Sequence, residues 1–292
     1  MTLSFQIPQN LKPYQGRLDV GGVNLHLYDS GPGPQGPAFL LLHGLGDEAD
    51  TWRRVFPLLM GLGRVVAPDL PGFGRSDHPR RAYTLDFFAD VAAALLENLH
   101  IPQAVVVGNS MGAGVALRLA LRRPEKVARL VLVNGPPLPS RLNRVQLAFL
   151  LPGLGESIYN SFRRSREAAY ESLRPYYYDL EALPPEERHF LRQRVWDRVW
   201  SNEQRRAFFS TFRWLVWEGL KGWPQPTRLA RIKAPTTVVW GEKDALIPLE
   251  AGRRLGQWIP GARLYGIPAC GHLPQQEQPE KLVRSIHEAT LA

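Results

Sequence analysis

The chain has 292 residues, 44% hydrophobic and 22% charged, with 36 Lys and Arg against 27 Asp and Glu (formal net charge +9) and one cysteine. That suits a large soluble α/β domain with a sizeable core. It excludes an intrachain disulfide or a cysteine metal cluster at the lone Cys270, and no apolar run approaches the ~20 residues that span a bilayer.

Met1–Tyr14 lacks the basic start and apolar block of a secretory signal, so a cytoplasmic location without membrane insertion is expected. Nucleic-acid binding is not expected. Between Pro136 and Pro235 there are 17 Lys and Arg against 10 Asp and Glu. The excess is local and interleaved with acids, as in Glu186-Glu187-Arg188 and Trp196-Asp197-Arg198, which reads as solvated, salt-bridged helix faces.

In chain order, residues 17–28 alternate around Gly21-Gly22 and predict a β-hairpin. Ala38–Leu42 is a continuous apolar run ending in His43-Gly44-Leu45-Gly46, a strand buried on both faces. Asp50 or Thr51 is placed to cap a helix carrying Trp52, Val55, Phe56 and Leu59. Arg64–Leu70 reads as a short strand, followed by the turn-rich Pro71–Asp77. Thr84 caps a helix with apolar residues at spacings of three and four through Leu99. Val105–Val107 and Leu130–Val133 are further strands, with a helix between them ending before Pro124. Alternating strand and helix predicts a mostly parallel sheet with helices on both faces.

From about Pro136 to Pro226 the pattern is helical only, with helices over about 143–151, 156–172, 184–201 and 203–221. This block carries Trp196, Trp200, Trp214, Trp217, Trp223 and Tyr176-Tyr177-Tyr178, and most of its aromatics are expected to pack among themselves. It reads as a helical cap over residues 136–226, inserted into a core domain formed by 1–135 and 227–292. The sheet pattern resumes at Thr236–Trp240, then a helix near 249–257, a strand at 262–267 and a closing helix from about Pro279 to Thr290.

Chemistry concentrates at Gly108-Asn109-Ser110-Met111-Gly112, where a β-branched strand runs into a tight turn and a helix. That is the G-x-S-x-G arrangement, with a serine hydroxyl presented at a helix N-terminus. Alone it leaves room for the blander reading, a glycine-rich corner with an incidental serine. A serine nucleophile needs a base and a group to orient the base. His272 fits best as base, in a Gly-flanked loop after the last strand. His43 comes second and is preferred as a brace, although it and Gly44 stand close enough to be counted with Asn109 and Leu273 as substrate contacts. The other five histidines read as solvated. Asp244, beyond strand 236–240, gives the order Ser110, Asp244, His272. The loop after the preceding strand holds Asn134-Gly135 and no acid. The N–H groups of Leu45 and Met111 are the expected oxyanion donors.

Taken together, His43-Gly44, Pro68–Ser76, Gly108–Gly112, Gly241–Asp244 and Gly271-His272 resemble the recurring motifs of the α/β-hydrolase fold superfamily, in order, over residues 17–291. The resemblance implies an eight-stranded sheet, a nucleophilic serine, an acyl-enzyme and water as second substrate, with no cofactor and no metal. Serine at the elbow argues against the dehalogenase and epoxide hydrolase branches, which use aspartate. The tail from His272 to Glu280 resembles that of carboxylesterases, which implies small to medium, largely apolar esters. Asn109 before the serine resembles the meta-cleavage carbon–carbon bond hydrolases, but Leu273 stands where that group carries tryptophan. That reading needs a cap arginine for a substrate carboxylate, with Arg192 or Arg194 as candidates. A perhydrolase-like activity shares the same serine chemistry, and a non-catalytic ligand-binding protein is the alternative of another class. Monomer and homodimer both fit.

Overall fold

The computed structural model describes residues 6–33, 36–136 and 144–291. Its strands are β1 (Gln15–Val20), β2 (Val23–Asp29), β3 (Ala38–Leu42), β4 (Val65–Pro68), β5 (Ala104–Asn109), β6 (Val127–Val133), β7 (Thr236–Gly241) and β8 (Arg263–Ile267). They form one eight-stranded sheet in the order β1-β2-β4-β3-β5-β6-β7-β8. The hairpin β1–β2 is antiparallel, β2 runs antiparallel to β4, and every other pairing is parallel. Gly21 and Gly22 turn the hairpin with φ of 61° and 82°, a conformation that favours glycine.

The helices are α1 (Phe56–Met60), α2 (Leu85–Asn98), α3 (Met111–Arg122), α4 (Arg144–Leu150), α5 (Leu154–Ser161), α6 (Arg166–Glu171), α7 (Pro185–Trp200), α8 (Asn202–Leu220), α9 (Pro226–Leu229), α10 (Leu249–Trp258), α11 (Pro274–Glu277) and α12 (Pro279–Leu291). The β-branched run of β5 explains the sandwich. Val106 points into a core shared with α2, α3 and α10, while Val105 and Val107 point into a second core with α1 and α12. A strand buried on both faces has no polar side to show, hence the unbroken apolar runs of β3 and β5. Full burial of each such side chain stabilises by about 1.5–3 kcal/mol relative to exposure. Thr84 caps α2 as expected, its side chain accepting from the Phe87 N–H at 3.1 Å.

Two expected helices differ. After Asp50 the chain forms a 3-10 turn, Ala49–Trp52, and α1 starts only at Phe56. The Asp50 carboxylate does not cap a helix because it accepts from Tyr28 Oη at 2.5 Å and from Arg75 Nη2 at 2.7 Å. The helix expected over 156–172 is broken: Ser165 is extended and caps α6, accepting from the Ala168 N–H. A serine hydroxyl competing for backbone N–H groups favours such a restart.

Between β6 and β7 the described chain holds no strand. Phe149, Tyr159, Phe208, Phe209 and Phe212 pack as a connected aromatic group, with centroid separations from 5.2 to 6.3 Å. Trp214 and Trp217 stay outside it, 37% and 49% exposed. Among the described residues no helix is long and apolar enough to cross a membrane.

Candidate active site

Ser110 sits between the last residue of β5 and the first of α3, with φ 54° and ψ −115°. A non-glycine residue held there stores about 1–3 kcal/mol, so the surroundings must over-determine it. They do so by close approach. A Cβ on Gly108 would lie 2.2 Å from the Gly112 carbonyl oxygen, and one on Gly112 would lie 2.2 Å from that of Leu42. Only glycine at both positions lets α3 start so near the sheet. The Ser110 N–H donates to Val133 O at 2.9 Å, which pins the corner to β6. The serine is half-buried, while the Met111 side chain behind it is fully buried.

His272 and Asp244, 28 residues apart in the chain, meet directly: His272 Nδ1 donates to Asp244 Oδ2 at 2.7 Å. A carboxylate can only accept, so the neutral ring leaves Nε2 as its basic nitrogen. The other carboxylate oxygen accepts from the Leu246 and Ile247 N–H groups at 2.8 and 3.0 Å. Burial alone would raise this carboxyl. The adjoining His272 charge and hydrogen bond, with the bonds from Asn134 and Ile247, outweigh burial and hold it below the ordinary carboxylate value. The His272 loop reaches the serine through Asn109, whose Nδ2 donates to His272 O at 3.1 Å. Among the described residues no hydrogen bond joins Ser110 Oγ to the imidazole, and such bonds commonly tighten only with substrate bound.

The loop after β3 flanks the serine from the other side: a Cβ on Gly44 would lie 3.4 Å from Ser110 Cβ. His43 shapes that loop. Its Nδ1 donates to Gly44 O at 2.8 Å, and its Nε2 accepts from the Leu70 N–H at 2.9 Å. Both ring nitrogens are used and the ring is fully buried, so the expected substrate contact by the His43 side chain is corrected to a brace. Asn109 is corrected in the same way. It is fully buried, donating to Val133 O and His272 O and accepting from Gln275 Nε2. Leu273 packs in an apolar cluster with Tyr170, Tyr177, Leu180, Leu183 and Leu191. Its contacts are those of a core residue. Gly44, also expected to touch substrate, lies beside the serine with no side chain between.

Several contributors carried no sequence signal of their own. Asn134 takes the position beyond β6 that holds no acid, and serves the one beyond β7. Its Nδ2 donates to Asp244 Oδ2 at 2.7 Å, and its Oδ1 accepts from the Gly241 N–H at 3.0 Å. Its place at a strand end beside β7 was the available clue. Tyr176–Tyr178 lie on the His272 loop: the His272 N–H donates to Tyr176 O at 2.8 Å, Tyr177 Oη donates to Gln276 Oε1 at 2.7 Å, and the Tyr178 N–H donates to Glu277 Oε2 at 2.8 Å. Glu277 also accepts from the Gly271 N–H at 2.8 Å.

Helix α7 lies on the opposite loop through charge. Arg198 Nη2 contacts Asp47 Oδ1 at 2.8 Å and Glu48 Oε1 at 2.7 Å, Arg194 Nε lies 3.1 Å from Glu48 Oε1, and Arg194 Nη2 pairs with Asp50. The expectation of solvated helix faces holds for Arg188–Glu181 and Arg192–Glu167. It fails for Arg194 and for Asp197, which are buried. His26, expected to be solvated, is buried with Nδ1 3.1 Å from Asp69 Oδ2. Cys270 is buried, and burial with the nearby Glu277 carboxylate pushes its thiol up, so it stays protonated.

The profile of the alpha/beta hydrolase fold family matches residues 37–279, and the chain belongs to that family. It is 34% identical over 278 residues to a 2-hydroxymuconate semialdehyde hydrolase of Pseudomonas sp. (strain CF600), covering 92% of this chain and 91% of that one. It is 31% identical over 287 residues to a 2-hydroxy-6-oxo-6-phenylhexa-2,4-dienoate hydrolase of Burkholderia cepacia, covering 91% and 90%. The solved structure of an enzyme of that same name from Rhodococcus sp. strain RHA1 superposes with a TM-score of 0.81 at 26% identity, covering 95% and 98%. The chain is therefore a hydrolase of this fold, related to carbon–carbon bond hydrolases.

Proposed function

We propose that the protein is a serine hydrolase that cleaves carboxylic esters of small to medium, largely apolar substrates. The observation that carries this reading is the 2.7 Å bond from His272 Nδ1 to Asp244, which fixes the tautomer with Nε2 as base. Ser110 Oγ attacks the ester carbonyl carbon as His272 Nε2 takes its proton. The oxyanion is met by the N–H groups of Leu45 and Met111. Collapse expels the alcohol, protonated by His272, and leaves an acyl group on Ser110. Water then attacks the acyl-enzyme by the same proton route and releases the acid. Residues 136–226 act as a cap, and the core is formed by 1–135 and 227–292. The site works in water without a cofactor, metal or nucleic acid.

The second reading is hydrolysis of a carbon–carbon bond in a vinylogous diketone, favoured by the named relatives and by Asn109. We rank it second because both candidate arginines already face carboxylates: Arg192 pairs with Glu167, and Arg194 with Asp50 and Glu48. A dienoate carboxylate would have to compete with them. The deciding experiment sets purified protein against p-nitrophenyl esters of increasing acyl length beside a dienoic diketone, each also with Ser110→Ala. Ester turnover lost in Ser110→Ala is expected. Clear preference for the diketone reverses the ranking, and full ester turnover by Ser110→Ala ends the serine mechanism.

A further inference from the structure

The donor expected at Leu45 lies in a short glycine-bracketed loop held at its two ends. Gly44 and Gly46 bracket Leu45, and Gly46 has a φ of 73°. From Gly44 to Asp47 one internal bond closes the turn, from the Asp47 N–H to Gly44 O at 3.2 Å. His43 fixes the N-terminal end through Gly44 O. At the other end the Ala49 N–H donates to Asp69 Oδ1 at 2.7 Å and Gln204 Nε2 reaches Gly46 O at 3.5 Å, while a single guanidinium nitrogen, Arg198 Nη2, reaches the two consecutive carboxylates between them, Asp47 at 2.8 Å and Glu48 at 2.7 Å. Glu48 is fully buried and also faces Arg194. An oxyanion donor acts through pre-set direction, so a loop with two glycines needs such an anchor on each side.

We propose that Arg198 is a positioning residue: by clamping Asp47 and Glu48 to α7 it holds the Leu45 N–H in register with Ser110. The inference rests on the serine mechanism proposed above. It makes α7 a support of the transition state as well as part of a cover. The electrostatics agree. Burial alone would lower the Arg198 guanidinium and raise the Glu48 carboxyl, yet their mutual attraction reverses both directions.

The test uses the full chain with a p-nitrophenyl ester, and with a fluorophosphonate that phosphonylates Ser110, releasing fluoride through the same oxyanion geometry. Arg198→Met is compared with Glu48→Gln/Arg198→Met, which removes the charge pair together, with Arg198→Lys, and with Arg188→Met as a control. Arg188 lies on the same helix but pairs with Glu181. Rates are referred to the folded fraction, measured by near-UV circular dichroism. We expect Arg198→Met and the double variant to lose about 10- to 100-fold in kcat and in phosphonylation rate, with KM within about threefold, because a misdirected donor weakens transition-state binding alone. Arg198→Lys regains part of the loss, and Arg188→Met stays within about twofold of the parent protein. Retention of kcat and phosphonylation within about twofold in the double variant, or a loss confined to KM, overturns the role of Arg198. Failure of the serine mechanism looks different: the parent protein itself is then not labelled at Ser110.

Discussion

The helices between β6 and β7 touch the rest of the molecule at several places, and two of these seams have opposite character. At the α7 seam, Arg194 and Arg198 face Asp47, Glu48 and Asp50 of the loop after β3. At the tyrosine seam, backbone groups and one phenol of Tyr176–Tyr178 bond to the His272 loop, with Glu277 as the single ionisable partner. Buried ion pairs give geometry at a high desolvation cost and are intolerant of losing one member. Neutral hydrogen bonds give less per contact and survive single losses. The expected oxyanion donor is therefore held by a rigid, expensive clamp, whereas His272, the expected base, is held by several modest bonds and by Asp244.

The comparison is tested hardest at the base itself. Asp244→Asn keeps the shape but offers an amide to His272 Nδ1, which stabilises the wrong tautomer. Ester kcat is expected to fall by about 10⁴-fold with little change in KM. A loss under tenfold would show that the tyrosine seam, rather than Asp244, orients the ring. Next in size is Glu48→Ala, which leaves the buried Arg194 and the half-buried Arg198 short of a partner. Unfolding in urea is expected to show destabilisation by about 3–5 kcal/mol. If the change is under ~1 kcal/mol, the α7 seam is no more demanding than the tyrosine seam.

The sequence made the frame and the candidate triad's place in it legible because both depend on local pattern. Alternation, apolar runs and Gly-flanked turns located all eight strands, the elbow at Ser110 and the loops of Asp244 and His272. The two seams were illegible because they depend on which surfaces meet. Nothing in Trp196-Asp197-Arg198 distinguishes an arginine that faces water from one that closes on Glu48. Arg188 and Arg198, ten residues apart on one helix, have opposite fates. Asn134 was discounted as lacking an acid, yet it bonds the acid from the neighbouring strand. His43 and Asn109 carried polar side chains beside the serine, and only the hydrogen bonds reveal them as braces.

Acid should separate the seams by sign. Glu48 and Asp244 are held below the ordinary carboxylate value in the fold, so the unfolded chain binds protons first as pH drops. Their contribution to stability is complete above the unfolded carboxylate range near pH 4 and is lost as pH falls through the lower folded values. Glu277 runs the other way: burial holds its carboxyl up, so protonation favours the folded form as pH falls. The α7 seam should loosen first. Amide hydrogen exchange compared at about pH 5 and below about pH 4, corrected for intrinsic rates, is expected to accelerate at Asp47 at the lower pH while Gly271 and Tyr178 keep their protection.

The smallest expected effect is at Tyr177, and it asks whether the tyrosine seam tolerates single losses. Tyr177→Phe removes the hydroxyl that donates to Gln276 Oε1 and leaves the ring packed against Leu273. Gln276 Nε2 still donates to Thr51 Oγ1 at 2.7 Å, so one acceptor is orphaned and the rest of the seam stands. The loss should be about 1 kcal/mol in urea unfolding, with ester kcat within about threefold of the parent protein. A rate loss of tenfold or more would mean that this phenol helps to hold His272 in place. The tyrosine seam would then be as intolerant as the arginine seam, and the distinction between the two would rest on charge alone.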